Sequence, residues 1–365
     1  MTELTLGQPL PPPTDGPLTV DELRLAARNH AMPLEALRYP VTPVGLHYVL
    51  VHYDIPAVDE AAFRLSVDGE VERPLSLTLE QLHALPAVEV VSTMECAGNG
   101  RALLAPRAVS QPWLLEAVGT GRWRGVLLRT VLEQAGPRET AVDVVATGLD
   151  RGIENEVDQR YQRALPLAEA LRDDVLLAYE LNGGPLPPQH GFPLRLVVPG
   201  WYGMTNVKWL SEIELVAEPF SGYQQAQGYR LRANEDDPGE PLARMRPRAL
   251  MVPPGIPDFM TRHRTVLAGR CELEGRAWSG QAPIARVEVS TDGGKTWADA
   301  EVEPGPGPFA WAGWSHAWEA EPGEYELCCR ATDATGDTQP LQPEWNVGGY
   351  ANNAVQRVPV TVAPR

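Results

Sequence analysis

Cys96 ends the apolar, β-branched run VEVVSTMEC (88–96) and opens the loop Ala97-Gly98-Asn99-Gly100-Arg101. A thiol there sits among backbone amides. Two glycines let another group approach the main chain closely, and Arg101 favours the thiolate. A soft thiolate on a strand end suits a transition metal that does redox chemistry. A buried structural cysteine fits the same residues. No histidine lies close in sequence to act as base for a cysteine nucleophile. A phosphate-binding glycine loop also fails, because the third glycine of G-x-G-x-x-G falls on Leu103. A second cluster, PPQHGFPLRLVVPGWYGMTNVKWL (187–210), sets His190, Arg195 and Lys208 around Gly-Pro turns. Each is at home singly as a turn residue or a solvated strand residue. Together they point to an anionic ligand. From these residues alone the reading is a redox-metal or anionic-cofactor enzyme, and it goes no further.

Elements must position these groups. Pro11 to Pro13 and Gly16 mark residues 1–17 as a tail, and Thr19 with Glu22 stands in capping-box spacing ahead of a short helix. From 61 to 235 strand and helix signals alternate. FRLSVDG (63–69) reads as a strand and turn, SLTLEQLHAL (76–85) as a helix capped by Thr78, and RTVLEQAG (129–136) as a helix stopped by Gly136. AVDVVATG (141–148), DVLLAYELNG (174–183) and FPLRLVVPG (192–200) read as strands, and LPLAEALRDD (165–174) as a helix with Pro166 in its first turn. The proline-rich, acidic stretch 234–258 reads as an inter-domain connector. Beyond it the pattern is β: the hairpin ARVEVSTDGGKTWADAEV (285–302), the strand EYELCCRATD (324–333) and six tryptophans from Trp278 to Trp345.

The expected architecture is an α+β catalytic domain, a mixed sheet and barrel, followed by an all-β immunoglobulin-like sandwich. Residues 1–40 form the tail and short helix, 41–240 the catalytic domain and 241–365 the sandwich. The chain has 365 residues, 33 glycines, 36 prolines and a net charge of −17. That composition argues against a helical bundle, and the charge against binding nucleic acid or anionic lipid. No run of apolar residues is long enough to span a membrane as a helix. Four cysteines are too few for a disulfide scaffold. Cys271 and Cys329 read as core residues. The acidic N-terminus lacks the features of a secretory signal, which makes the cytoplasm the expected location.

At these residues the chain resembles the sulfite oxidase family of molybdenum enzymes, over most of residues 40–358. The loop Cys96 to Arg101, the run GRWRGVLLRTVL (121–132), the run HGFPLRLVVPGWYGMTNVKWL (190–210), and STDGGKTW (290–297) with EWNVGGYANN (344–353) match in order. The resemblance implies a Mo-molybdopterin cofactor, one metal per chain, with Cys96 as the protein ligand. It implies Tyr48, His52, Asp150, His190, Arg195, Asn206 and Lys208 around the pterin and its phosphate. It implies Tyr229 and Arg101 as catalytic residues at the substrate pocket, and Trp113 as an aromatic wall. It further implies dimerisation through 241–365, a small oxo substrate and an external electron acceptor or donor. No C-x-x-C-H haem site occurs.

The departures concern the substrate. The family's R-N-H reads Leu50-Val51-His52, its late W-N-L-R-G reads Trp345-Asn346-Val347-Gly348-Gly349, and Gly228 replaces the aspartate before the active-site tyrosine. Two anion-binding arginines are therefore absent, each having offered roughly 1.5–3 kcal/mol as a charge-assisted partner. Sulfite oxidation to sulfate is the default expectation. The alternatives are the same cofactor acting on a less anionic substrate such as a sulfoxide, and a cofactor-free binding protein on the same fold.

Overall fold

The computed structural model describes Pro9 and residues 11–365; the rest of the expected tail lies outside the described residues. Two five-stranded sheets build the first part of the chain. One runs in the order Leu75–Leu77, Leu65–Gly69, Leu210–Val216, Asp143–Glu154, Val157–Pro166. The other carries Ala87–Glu95, Val118–Leu127, Leu176–Leu181 and Gly184–Pro185, with Arg195–Val197 also paired to Leu176–Leu181. The alternation in 63–69 turns Phe63, Leu65 and Val67 into a core shared with Val126, Leu177 and Leu196 of the second sheet. Helices Leu79–His83 and Leu128–Ala135 fill that core with Leu82, Val131 and Leu132. Thr78 caps the first through a reciprocal pair with Gln81. Gly136, at φ 71°, ends the second.

The molecule is mostly β with few, short helices, so the expected α+β content is too high. The clearest case is 165–174. Leu165 and Pro166 pair with Val144 and Asp143 as the end of a strand, leaving a helix of Leu167–Ala170 only. Ladder pairing overrides the local helix signal there, and Pro166 precedes the helix as its cap.

From Arg248 onward two sheets lie face to face. Arg248–Met251, Gly269–Trp278, Ala312–Ala320 and Glu301–Glu303 form one; Ile284–Ser290, Gly323–Asp333 and Gln356–Ala363 are central to the other. Leu273, Trp314 and Trp318 meet Val287, Leu327, Cys329 and Val360 between them. Cys271 is only half-buried and packs at the margin of that core, not within it. The stretch 234–258 is no free connector: Leu242, Met245, Leu250 and Val252 are buried against the first part of the chain. The N-terminal segment is also tied down, with Met32, Ala36 and Leu37 in the same joint.

A buried ion pair crosses this joint. Arg248 Nη1 donates to Glu95 Oε1 at 2.7 Å, and Trp278 Nε1 donates to Glu95 Oε2 at 2.9 Å. The residue after Glu95 is Cys96, so the sandwich holds the end of the strand that carries the thiol. Arg248→Leu strands the Glu95 carboxylate in an apolar joint and should lower unfolding stability by about 3–5 kcal/mol. Denaturant titration checks this; a loss below about 1 kcal/mol would mean the pair does not hold the joint.

Candidate functional site

The strand Ala87–Glu95 delivers Cys96 to a turn of short backbone bonds: Asn99 N–H to Cys96 O at 3.0 Å and Arg101 N–H to Gly98 O at 3.0 Å. Asn99 ties the turn to both neighbours, donating to Glu95 Oε1 at 3.0 Å and accepting from Ala117 N–H at 3.1 Å. Gly100 has φ 89°, and a Cβ there would meet Asn352, whose amide donates to Gly100 O at 2.8 Å. The Cys96 thiol is buried. Burial raises its pKa, while Arg101, the Gly98 amide and the Trp113 indole favour the thiolate. That indole N–H is buried without another partner.

Cys96 opens into a cleft. Of the residues read from the sequence, Tyr48, His52, Asp150, His190, Arg195, Asn206, Lys208 and Tyr229 line it too. His190 ends a 3-10 turn, Pro188–His190, closed by Gly191 at φ 105°. Arg195 Nη1 donates to His190 O at 3.0 Å, and its guanidinium lies 4.8 Å over the Trp123 ring. Lys208 Nζ donates to Leu50 O at 2.8 Å and Gln189 O at 3.1 Å. Tyr48 reaches in because residue 203 is glycine; a Cβ there would overlap its hydroxyl. Asn206 differs from expectation. Its side chain accepts from Val198 N–H at 2.7 Å and donates to Tyr202 O at 3.2 Å, so its amide is spent on the backbone. Its carbonyl orients Arg195, accepting from Nη2 at 3.2 Å.

Across the cleft, His52 Nε2 and Tyr229 Oη lie 2.5 Å apart. Desolvation, helped by Lys208 and Arg101, lowers His52 to about 3, so the ring is neutral. Burial raises Tyr229 well above the usual phenol range, so it keeps its proton. Tyr229 follows a π-helical turn, Gln224–Gly228, a rare element often found at functional positions. Arg101 does not line the cleft. Its buried guanidinium packs against Gly98, its Nε donates to Gly348 O at 2.9 Å, and it lies 4.8 Å over Tyr350. There it borders a second hollow with Arg232, Tyr223 and Tyr350.

Sequence reasoning missed His47, Met94, Tyr161 and Trp209, which also line the cleft. His47 precedes the noted Tyr48, and its ring meets His190 edge-on at 5.4 Å. Tyr161 stacks on His52 at 4.8 Å from the middle of the strand Val157–Pro166, whose alternation carries no site signal.

The cleft has the chemistry of a site for an anionic, hydrogen-bonding group with a soft metal. His47 Nε2, His190 Nε2 and Arg195 Nε are buried without partners. Burial lowers Arg195 to about 10, and burial with repulsion from neighbouring positive groups lowers His47 to about 4, His190 to about 2 and Lys208 to about 7. Asp150, raised to about 6 by burial against the pull of Lys208, is a weak counter-charge. An anion would satisfy Arg195 and Lys208 directly, and the two histidines once a proton accompanies it onto Nε2. Among the described residues no three His, Cys, Asp or Glu side chains are grouped to hold a metal by themselves. A single cysteine would thus need a ligand that brings its own donors.

Residues 52–224 match the oxidoreductase molybdopterin binding domain, and residues 251–363 the Mo-co oxidoreductase dimerisation domain. Sulfite oxidase of Gallus gallus is 36% identical over 336 residues, covering 87% of this chain and 72% of that protein. Mitochondrial sulfite oxidase of Rattus norvegicus is 36% identical over 344 residues; the match covers 89% of this chain but only 62% of the rat protein. The solved structure of the sulfane dehydrogenase SoxCD from Paracoccus pantotrophus superposes with a TM-score of 0.79 at 26% identity, over 96% of this chain and 93% of that one. The reading of a cofactor-free binding protein falls with these matches. The chain belongs to the sulfite oxidase family, molybdenum-dependent oxidoreductases whose cofactor is Mo-molybdopterin.

Proposed function

We propose that the chain adds one oxygen atom, drawn from water with release of two protons, to a small sulfur oxyanion, with sulfite to sulfate as the reference reaction, and passes two electrons to an external acceptor. The observation that carries this reading is the placement of Cys96 and the Tyr229–His52 pair on one cleft lined with unpartnered imidazole and guanidinium nitrogens. When bound, the molybdenum centre supplies oxygen-atom transfer coupled to two-electron redox chemistry. Cys96 would be its protein ligand. His47, His190, Arg195 and Lys208 would hold the anionic end of the pterin, and Asp150 and Tyr48 its polar ring edge. Asn206 acts by holding Arg195 in place. If neutral His52 presents Nε2–H to Tyr229 Oη, the tyrosine hydroxyl is free to donate to a substrate oxygen.

Two observations favour a second reading, a less anionic sulfur substrate. Leu50 lines the cleft where the resemblance expects an arginine. Gly348 is pressed by Tyr350, since a Cβ on Gly348 would overlap that ring, and its carbonyl already occupies Arg101. Tyr350 thus fills the space a longer side chain at 348 would need.

We also propose a homodimer through the immunoglobulin-like sandwich. Phe259 and Met260 stand 83% and 80% exposed within residues 251–363, the dimerisation-domain match. The groove beside them is walled by Leu103, Leu114 and Leu341. A protrusion next to a groove on one face is what an isologous two-fold contact needs.

Three outcomes are expected. Tyr229→Phe lowers kcat for sulfite by about 100-fold with little change in KM; steady-state kinetics with an unchanged kcat would remove Tyr229 from the reaction. Leu50→Arg lowers the sulfite KM by roughly tenfold or more, and an unchanged KM would favour the less anionic substrate. Phe259→Ser with Met260→Ser gives a monomer in sedimentation at micromolar concentration, whereas a persistent dimer would place the interface elsewhere.

A further inference from the structure

Six arginines are buried among the described residues: Arg101, Arg107, Arg163, Arg195, Arg248 and Arg264. They fall into two groups. Arg107 pairs with Glu22, Arg248 with Glu95 and Arg264 with Glu35. Arg101, Arg163 and Arg195 bond backbone carbonyls, a methionine sulfur and, for Arg101, the Tyr350 hydroxyl, with no carboxylate in ion-pair reach among the described residues. A buried cation without a counter-charge is costly unless a ligand provides one. The three unpaired arginines surround one place. Arg195 lines the cofactor cleft, Arg101 covers Tyr350 at 4.8 Å, Arg163 covers Tyr229 at 5.6 Å, and the Tyr229 and Tyr350 rings are 5.2 Å apart. Only Arg163 has no duty in the site described above.

Its bonding gives it one. Arg163 Nη1 donates to Gln224 O, the first carbonyl of the π-helical turn. The same carbonyl accepts the Tyr229 N–H at 3.3 Å. One guanidinium therefore clamps the anchor of the Tyr229 backbone and lies over the face of its ring. Arg163 Nε is buried with no partner. A cation on the face of a phenol draws charge from the ring and makes its hydroxyl a better donor to a negative oxygen.

We propose that Arg163 is a positioning residue that tunes Tyr229 for an anionic substrate, supplying from behind the tyrosine the positive charge that Leu50 and Gly348 do not. This rests on the oxygen-transfer reading for its substrate, a sulfur oxyanion, and it makes Arg163 a determinant of specificity. Arg163→Met leaves no carboxylate stranded and is expected to fold, and Arg163→Lys keeps the charge. The experiment titrates sulfate, a non-reacting oxyanion, into molybdenum-loaded wild-type, Arg163→Met and Arg163→Lys protein by calorimetry, alongside sulfite kinetics. Arg163→Met should weaken sulfate binding and lower sulfite kcat/KM, each by about tenfold. Arg163→Lys should recover both to within about threefold of wild type. Equal sulfate affinity in wild type and Arg163→Met, or a lysine variant as impaired as the methionine one, would overturn the assignment. If wild type oxidises no sulfite while sulfate affinity still depends on Arg163, the oxygen-transfer reading fails and the anion assignment stands.

Discussion

The Glu95 carboxylate takes an ion pair from Arg248 and hydrogen bonds from Trp278 and Asn99, all beneath the surface. Two of these partners belong to the C-terminal sandwich and the third to the cysteine loop. Because Glu95 precedes Cys96, a carboxylate that cannot be left unpaired fixes where the thiol stands relative to both halves of the chain. The second bonded hub, Asn352 on Gly100 O, ties the other end of the loop to the sandwich. A metal ligand needs that rigidity.

The electrostatics of the cleft follow the opposite rule. Among the described residues, the buried arginines away from the site, Arg107, Arg248 and Arg264, have carboxylates, and the buried arginines around it lack them. Histidines and Lys208 are likewise held toward neutrality by burial and by one another. Positive groups gathered without compensation are an unstable arrangement on their own, and it becomes a favourable one when a phosphate-bearing cofactor or an oxyanion arrives. The chain's net charge of −17 hides this local concentration completely.

Much of this site was legible in the sequence because its parts sit in short, rigid segments. Cys96 at a strand end, His190 before Gly-Pro and Arg195 on the next strand carry their chemistry in neighbouring residues. The capping box at Thr19 and the N-cap at Thr78 were legible for the same reason. Glu95 was not, since Arg248 and Trp278 lie 153 and 183 residues away. Arg163 reads as an ordinary strand residue until the fold lays the π-helical turn on it. Asn206 has the right type and place for a cofactor ligand, but its amide is claimed by Val198 and Tyr202. Pro166 was misread because the helix signal is local and the strand pairing that overrides it comes from Asp143.

What unites these features is one sulfur, Cys96, held by a buried carboxylate hub beside a cationic cleft. X-ray absorption at the molybdenum edge of protein from a host that makes the pterin tests this most directly. The account predicts one molybdenum per chain, with a protein sulfur beside the pterin's own sulfurs, and the loss of that one sulfur in Cys96→Ser. Loaded wild-type and Cys96→Ser protein with the same sulfur count would contradict it.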